Sequence, residues 1–212
     1  MIAPEGWPFF TVPVFLGVVA VVLGLPIPGW VLVAIGAFAL FFFRDPPRQC
    51  DAAPGIACSP ADGKVIVVGP SPPPLQERGL PSQISVFMSV FNVHVNRAPI
   101  GGELLEYSYA PGRKFAAYKD KASDDNEQNL SVWRGEMGTV ALKQIAGLIA
   151  RRIVFDHRPG DRVDRAQRIG LIRYGSRVDV FLPPGTQILV GVGDRVRAGV
   201  TPIARLAPGG EA

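Results

Sequence analysis

Three patterns of apolar and polar positions succeed one another along the chain. From Gly6 to Phe43 there is no Asp, Glu, Lys or Arg; within that stretch Phe9–Leu25 is an apolar run of 17 residues and Trp30–Phe43 a second of 14. Pro26-Ile27-Pro28-Gly29 separates them, and the pair predicts a hydrophobic helical hairpin. At 1.5 Å per residue the helices would be about 26 and 21 Å long, against a hydrocarbon core of roughly 30 Å. Two short spans in a thin membrane and a shallow re-entrant hairpin both fit. A secretory signal fits poorly, since no basic segment precedes the run and no small-x-small site follows it cleanly. The second pattern, Arg44–Pro60, is proline-rich and predicts an extended connector.

Alternation is the third pattern. Asp62-Gly63 signals a turn and Lys64–Val68 a short strand, while Pro70–Pro81 is too proline-dense for either regular element. Ser85–Asn96 (SVFMSVFNVHVN) is the most strongly patterned segment. Read as one regular strand, it puts Val86, Met88 and Val90 on a face with Asn92, His94 and Asn96, and Phe87, Phe91, Val93 and Val95 on the other. Arg97–Gly102 turns the chain into a strand at Leu104–Tyr109, and Ala122–Asn129 reads as a solvated loop. Val140–Ile149 is ambiguous between helix and strand, with its β-branched ends favouring strand. Ile169/Leu171 and Val178/Val180/Leu182 mark two further strands around Tyr174-Gly175-Ser176-Arg177. Gly160-Asp161-Arg162-Val163 and Gly193-Asp194-Arg195-Val196 echo each other 33 residues apart, each a Gly-Asp turn entering a strand. The fold class is therefore mainly β (α+β), a compact barrel- or sandwich-like β domain behind the N-terminal hairpin. The boundaries fall at 1–43 for the hydrophobic segment, 44–60 for the connector and 61–212 for the β domain.

Charge sharpens this picture. Glu5 is the only charged side chain before Arg44, so the net +4 belongs to residues 44–212. With no lysine-arginine block, the balance excludes an argument for nucleic acid and suits a domain beside an anionic lipid surface. Arg44 and Arg48 flank the exit from the apolar segment, which puts the following domain on the cytoplasmic side of the cell membrane. Cys50 and Cys58 give no metal-ligand spacing and no disulfide framework; they fit a reducing compartment, and a single bridge stays open.

The candidate chemistry starts at Gly175-Ser176. Such a pair is ordinarily a turn or a bulge. Its chemical alternative is a serine hydroxyl that attacks the carbonyl before it when a nearby base takes its proton, with glycine leaving that carbonyl open. His94 and His157 are the only histidines. His157 lies in a turn-rich polar segment and reads as a loop residue, His94 alone as a structural histidine, and Asp62 alone as a turn residue. Taken together, an Asp, a His and a Gly-Ser on three separate β segments are the material of a base-activated serine.

These residues sit in FRDPPR (43–48), SPADGKV (59–65), SVFNVHVNRAPIGG (89–102), PGRKFAAYKDKASDDNEQN (111–129), QIAGLIARRIV (144–154) and RIGLIRYGSRVDVFLP (168–183). In this order and spacing, the chain resembles the short-form phosphatidylserine decarboxylases from about Phe43 to Pro183. The resemblance implies that Asp62, His94 and Ser176 form a self-processing triad and that Gly175–Ser176 is cleaved, giving a 1–175 β chain and a 176–212 α chain. It further implies a pyruvoyl group made from Ser176, which takes the substrate amine as a Schiff base, with no metal and no diffusible cofactor. The expected reaction converts phosphatidylserine to phosphatidylethanolamine at the inner membrane. The expected partners are the lipid in the bilayer and the chain's own two fragments, with or without further oligomerisation. Two departures stand out: long-form relatives carry Leu-Gly-Ser-Thr at the cleavage point and a second histidine shortly before the triad histidine, where this chain has Asn92.

Two other readings remain. One keeps the enzyme and changes the lipid, for example to archaetidylserine. The other is a membrane-tethered β module without chemistry; SPADGKV and GDRVRAG are similar to lipoyl-type hairpins, but no lysine follows Ser176.

Overall fold

The computed structural model describes residues 1–112, 126–147, 152–173 and 176–207. The chain divides into two compact units, Met1–Pro47 and Arg48–Ala212.

The first unit is helical. A 3-10 turn at Pro4–Gly6 leads into α1 (Trp7–Val22), and α2 spans Pro26–Phe42. The break between them falls at 23–25, earlier than the expected Pro26–Gly29. Gly24 supplies the turn with φ 81°, and Pro26 stands in the first turn of α2, where its missing N–H costs nothing. The segment Pro4–Val22, 19 residues, is long and apolar enough to cross a membrane, whereas α2 is shorter. Small residues let the helices approach closely. A Cβ on Gly17 would lie 2.7 Å from the Gly29 carbonyl oxygen, and one on Gly36 would lie 2.6 Å from Val14 Cγ2.

The second unit is built from strands. In chain order they are β1 (Ile56–Cys58), β2 (Gly63–Pro70), β3 (Ser82–Met88), β4 (Val95–Arg97), β5 (Gly102–Ala110), β6 (Gln128–Gly135) and β7 (Gly138–Ala146). They continue with β8 (Ile153–Phe155), β9 (Arg162–Val163), β10 (Arg168–Ile172), β11 (Ser176–Leu182), β12 (Gln187–Ile188), β13 (Arg195–Val196) and β14 (Pro202–Arg205). One large sheet runs in the order β13-β2-β3-β11-β7-β6-β5-β9, and two three-stranded sheets, β4-β10-β8 and β1-β14-β12, complete the unit. The large sheet is open, with β13 at one edge and β9 at the other, so the two Gly-Asp echoes sit at opposite edges. One face of β11, carrying Val178, Val180 and Leu182, packs with Ile84, Val86, Leu142 and with Ile169 and Ile172 of β10 in the main core. Phe181 on the other face joins a smaller cluster with Leu80, Val132 and Ala141.

Several expectations need correction. The segment Ser85–Asn96 is not one strand: β3 ends at Met88 and β4 begins at Val95. The Asn92 side-chain oxygen accepts the Ser89 N–H at 2.9 Å while Asn92 N–H donates to Ser89 O, a local turn that outcompetes the ladder. Pro70–Pro81 holds one helical turn, α3 (Pro73–Gln76), started by prolines in positions that need no donor. Gln128 and Asn129, expected in a loop, open β6, and Val140–Ile149 resolves as strand β7 through Ala146. Positions 122–125 and Tyr174–Gly175 lie outside the described residues. Cys50 and Cys58 form a disulfide with Cα atoms 6.8 Å apart, tying the connector to β1.

Candidate active site

Ser176 is the first residue of β11, paired with Met88 of β3 on one side and Ala146 of β7 on the other. It stands at the middle of the large sheet and is fully buried, and its Oγ has no hydrogen-bond partner among the described residues. A buried hydroxyl left in that state costs on the order of 1–3 kcal/mol, so a purely structural role accounts for it poorly. Gly175, the other half of the expected cleavage point, lies outside the described residues.

His94 immediately precedes β4 and is 2% exposed. Its backbone carbonyl accepts the N–H of Ile172, four residues before Ser176. Its Nδ1 faces the Asn92 carbonyl at 3.0 Å. A carbonyl accepts only, so Nδ1 carries the proton and the neutral ring keeps its lone pair on Nε2, the atom a base would use.

Asp62 stands at the entry to β2. Its carboxylate takes the Ala198 N–H at 2.7 Å on Oδ1 and Arg48 Nη2 at 3.1 Å on Oδ2. The Arg48 and Asp62 side chains are 6% and 12% exposed, a nearly dry ion pair. These are the partners of Asp62 among the described residues. The segments of Asp62 and His94 are neighbours, since Pro60 O accepts the Arg97 N–H at 2.9 Å and Asn96 Nδ2 at 3.4 Å. His157, read as a loop residue, donates from Nε2 to Arg168 O at 3.1 Å and packs edge-on against Trp133.

Sequence reasoning passed over a chain of buried amides on the Ser176 side of the sheet. Asn129 donates to Gln144 at 2.8 Å, Gln144 donates to Asn96 at 2.7 Å, and Asn96 lies 3.6 Å from the sulfur of Met88, the cross-strand partner of Ser176. It also used Arg48 only as a topology signal beside the apolar segment and did not foresee its ion pair with Asp62. On the opposite face of β11, Arg177 pairs with Asp179 at 2.6 Å and reaches Ser85 Oγ at 3.0 Å, fixing the strand from behind. A cavity of about 730 Å³ lined by Gly102, Arg134, Met137 and Arg165 contains none of the three candidate residues. Among the described residues no group of three His, Cys, Asp or Glu side chains is placed to hold a metal.

Comparison with known proteins completes this subsection. The sequence profile of the family described as phosphatidylserine decarboxylase matches residues 35–204. A phosphatidylserine decarboxylase proenzyme of Solibacter usitatus is 51% identical over 174 residues, covering 82% of this chain and 81% of the relative. The proenzyme of the same description from Ruegeria pomeroyi is 45% identical over 209 residues, covering 96% and 94%. That of Symbiobacterium thermophilum is 44% identical over 207 residues, covering 97% and 96%. With a profile match over most of its length and relatives of this similarity along nearly the whole of it, the chain belongs to the phosphatidylserine decarboxylase family.

Proposed function

We propose that this chain is a self-processing decarboxylase that converts phosphatidylserine to phosphatidylethanolamine, using a pyruvoyl group made from its own Ser176. The observation that carries the reading is the buried Ser176 Oγ, without a partner among the described residues, at the head of a central strand, in a chain whose relatives are named proenzymes. Those residues fit a serine-derived group. His94, with its lone pair on Nε2, takes the Ser176 proton, and the Oγ attacks the Gly175 carbonyl carbon, so that an ester C–O bond forms as the amide C–N bond breaks. Loss of the Ser176 Cα proton then expels the Gly175 carboxylate by β-elimination and leaves a dehydroalanine, which water converts to the pyruvoyl end and ammonia. Asp62 is held by Arg48 and Ala198 N–H, and its negative charge favours the cationic form of His94 during the first step. When formed, the group supplies an electron sink for loss of the substrate's α-carboxylate.

Residues 1–43 serve as the membrane segment, 44–60 as the connector and 61–212 as the decarboxylase. The apolar helices support a membrane location, since the serine head group is presented only at the bilayer surface. Arg44 and Arg48 support a catalytic unit on the cytoplasmic side.

Intact mass under denaturing, reducing conditions tests the reading. The purified chain is expected as two species, residues 1–175 and a 37-residue piece 176–212 with a pyruvoyl start, active on phosphatidylserine vesicles. Ser176→Ala is expected to remain one inactive chain, and His94→Ala to slow processing by about 10²–10⁴. Normal cleavage of Ser176→Ala would sink the assignment.

A further inference from the structure

The surface cations of the β unit are not alike. Arg78 pairs with Glu106, Arg134 and Arg162 with Glu103, and Arg168 with Asp156. Lys64, Arg195 and Arg197 are exposed and have no carboxylate within ion-pair distance among the described residues. They form one strip. Arg195 of β13 is the register partner of Lys64 on β2, and Arg197 follows the strand directly, exposed like Arg195 with the buried Val196 between them. Asp194, the only acidic residue between 183 and 207, turns its Oδ2 inward onto the Gly191 N–H at 2.8 Å. The turn it closes carries two bare apolar side chains, Leu189 at 39% and Val192 at 65% exposed. An apolar tip beside an unpaired cationic strip is the composition of a surface that seats on anionic head groups with a shallow hydrophobic contact.

We infer that the 187–197 segment, which ends in edge strand β13, together with Lys64, docks the catalytic unit on a bilayer rich in anionic phospholipid. The inference rests on the proposed function for its consequence. A phosphatidylserine head group carries a net charge of about −1 and phosphatidylethanolamine about zero, because one carboxylate leaves as carbon dioxide. Each turnover therefore weakens the field that holds the segment, and the unit loosens from lipid it has already converted. The docked strand is also the one that holds the candidate acid, since Ala198, directly after Arg197, donates its N–H to Asp62.

The test uses the full chain reconstituted in vesicles without substrate, so that it does not depend on decarboxylation. Val192→Trp adds an indole at the tip, and Leu189→Trp serves as a second reporter. Quenching by brominated acyl chains is read as the difference from the parent chain, whose own Trp7 and Trp30 lie in the apolar helices. Extra quenching is expected in phosphatidylglycerol vesicles, with loss in phosphatidylcholine vesicles and at about 1 M salt, where the screening length falls to roughly 3 Å. Adding K64Q, R195Q and R197Q to the reporter chain is expected to weaken docking about fivefold per charge removed. Equal quenching in both lipids, or none in either, would overturn the inference. So would shielding of the new indole in detergent at high protein concentration, which would assign the tip to a second copy of the chain. Failure of the enzyme reading would leave these quenching results unchanged and would appear only in the decarboxylation assay.

Discussion

At the scale of single residues, the site depends on a contact that its chemistry does not announce. Arg48 is the only charged partner of Asp62 among the described residues, and the pair is nearly dry. Its Nε and Nη1 are buried with no partner among the described residues, so the guanidinium is kept at a cost and does not merely decorate the connector. Removing one member of a buried pair strands the other, typically for about 3–5 kcal/mol. Arg48→Ala is therefore expected to destabilise the β unit by that order and to slow cleavage before Ser176, with Arg48→Lys restoring part of both. Denaturant midpoints and a time course of cleavage on denaturing gels read the two effects separately; an Arg48→Ala chain with parental values on both would show that Asp62 needs only the Ala198 N–H. Asp62, His94 and Ser176 could be nominated from sequence because their side chains are the kinds that do such chemistry. The Asn92 carbonyl that sets the His94 tautomer could not, because every residue has a carbonyl and only folding decides where it points.

At the scale of elements, close approach explains what pattern alone did not. Asp62-Gly63 was legible as a turn signal, yet Gly63 is the first residue of β2, and a Cβ there would run into the backbone carbonyl of Phe87 on β3. Gly63→Ala is expected to push β2 off β3, costing about 1–3 kcal/mol by overpacking, and to slow processing because Asp62 is its neighbour. A thermal melt at parental temperature would show that the sheet yields there for nothing. Strand β6 escaped the reading for a related reason. On the face toward Gln144 its buried positions are Asn129, Ser131 and Trp133, two of them polar, while Val132 is buried on the other face. Those groups satisfy one another across the sheet, Asn129 through Gln144 and Trp133 through Ser131, which is the condition for burying them at all. Strands β10 and β11, with apolar inward faces, were legible; β7, whose inward face carries Gln144, was left between helix and strand with strand favoured.

At the scale of the whole β unit, the proposed cleavage before Ser176 falls where a cut is least able to separate the pieces. Ser176 opens β11, which is paired along its length with β3 through seven register partners and with β7 through six. The fragment that begins there supplies Val178, Val180, Leu182, Ile203 and Leu206 to the main core, and each such side chain is worth about 1.5–3 kcal/mol when buried. Losing the 176–212 piece would open the middle of the sheet, so the two fragments are expected to stay together after processing. In detergent, the mature pair and uncleaved Ser176→Ala should elute at the same native size, and only denaturant should release the small chain. Cleavage does change the thermodynamics of unfolding. One uncut chain unfolds to one chain, whereas the mature pair unfolds to two, so its denaturant midpoint should fall on tenfold dilution while that of Ser176→Ala stays fixed. A midpoint independent of concentration in both would mean that the fragments remain joined, or that the small one leaves before the sheet opens.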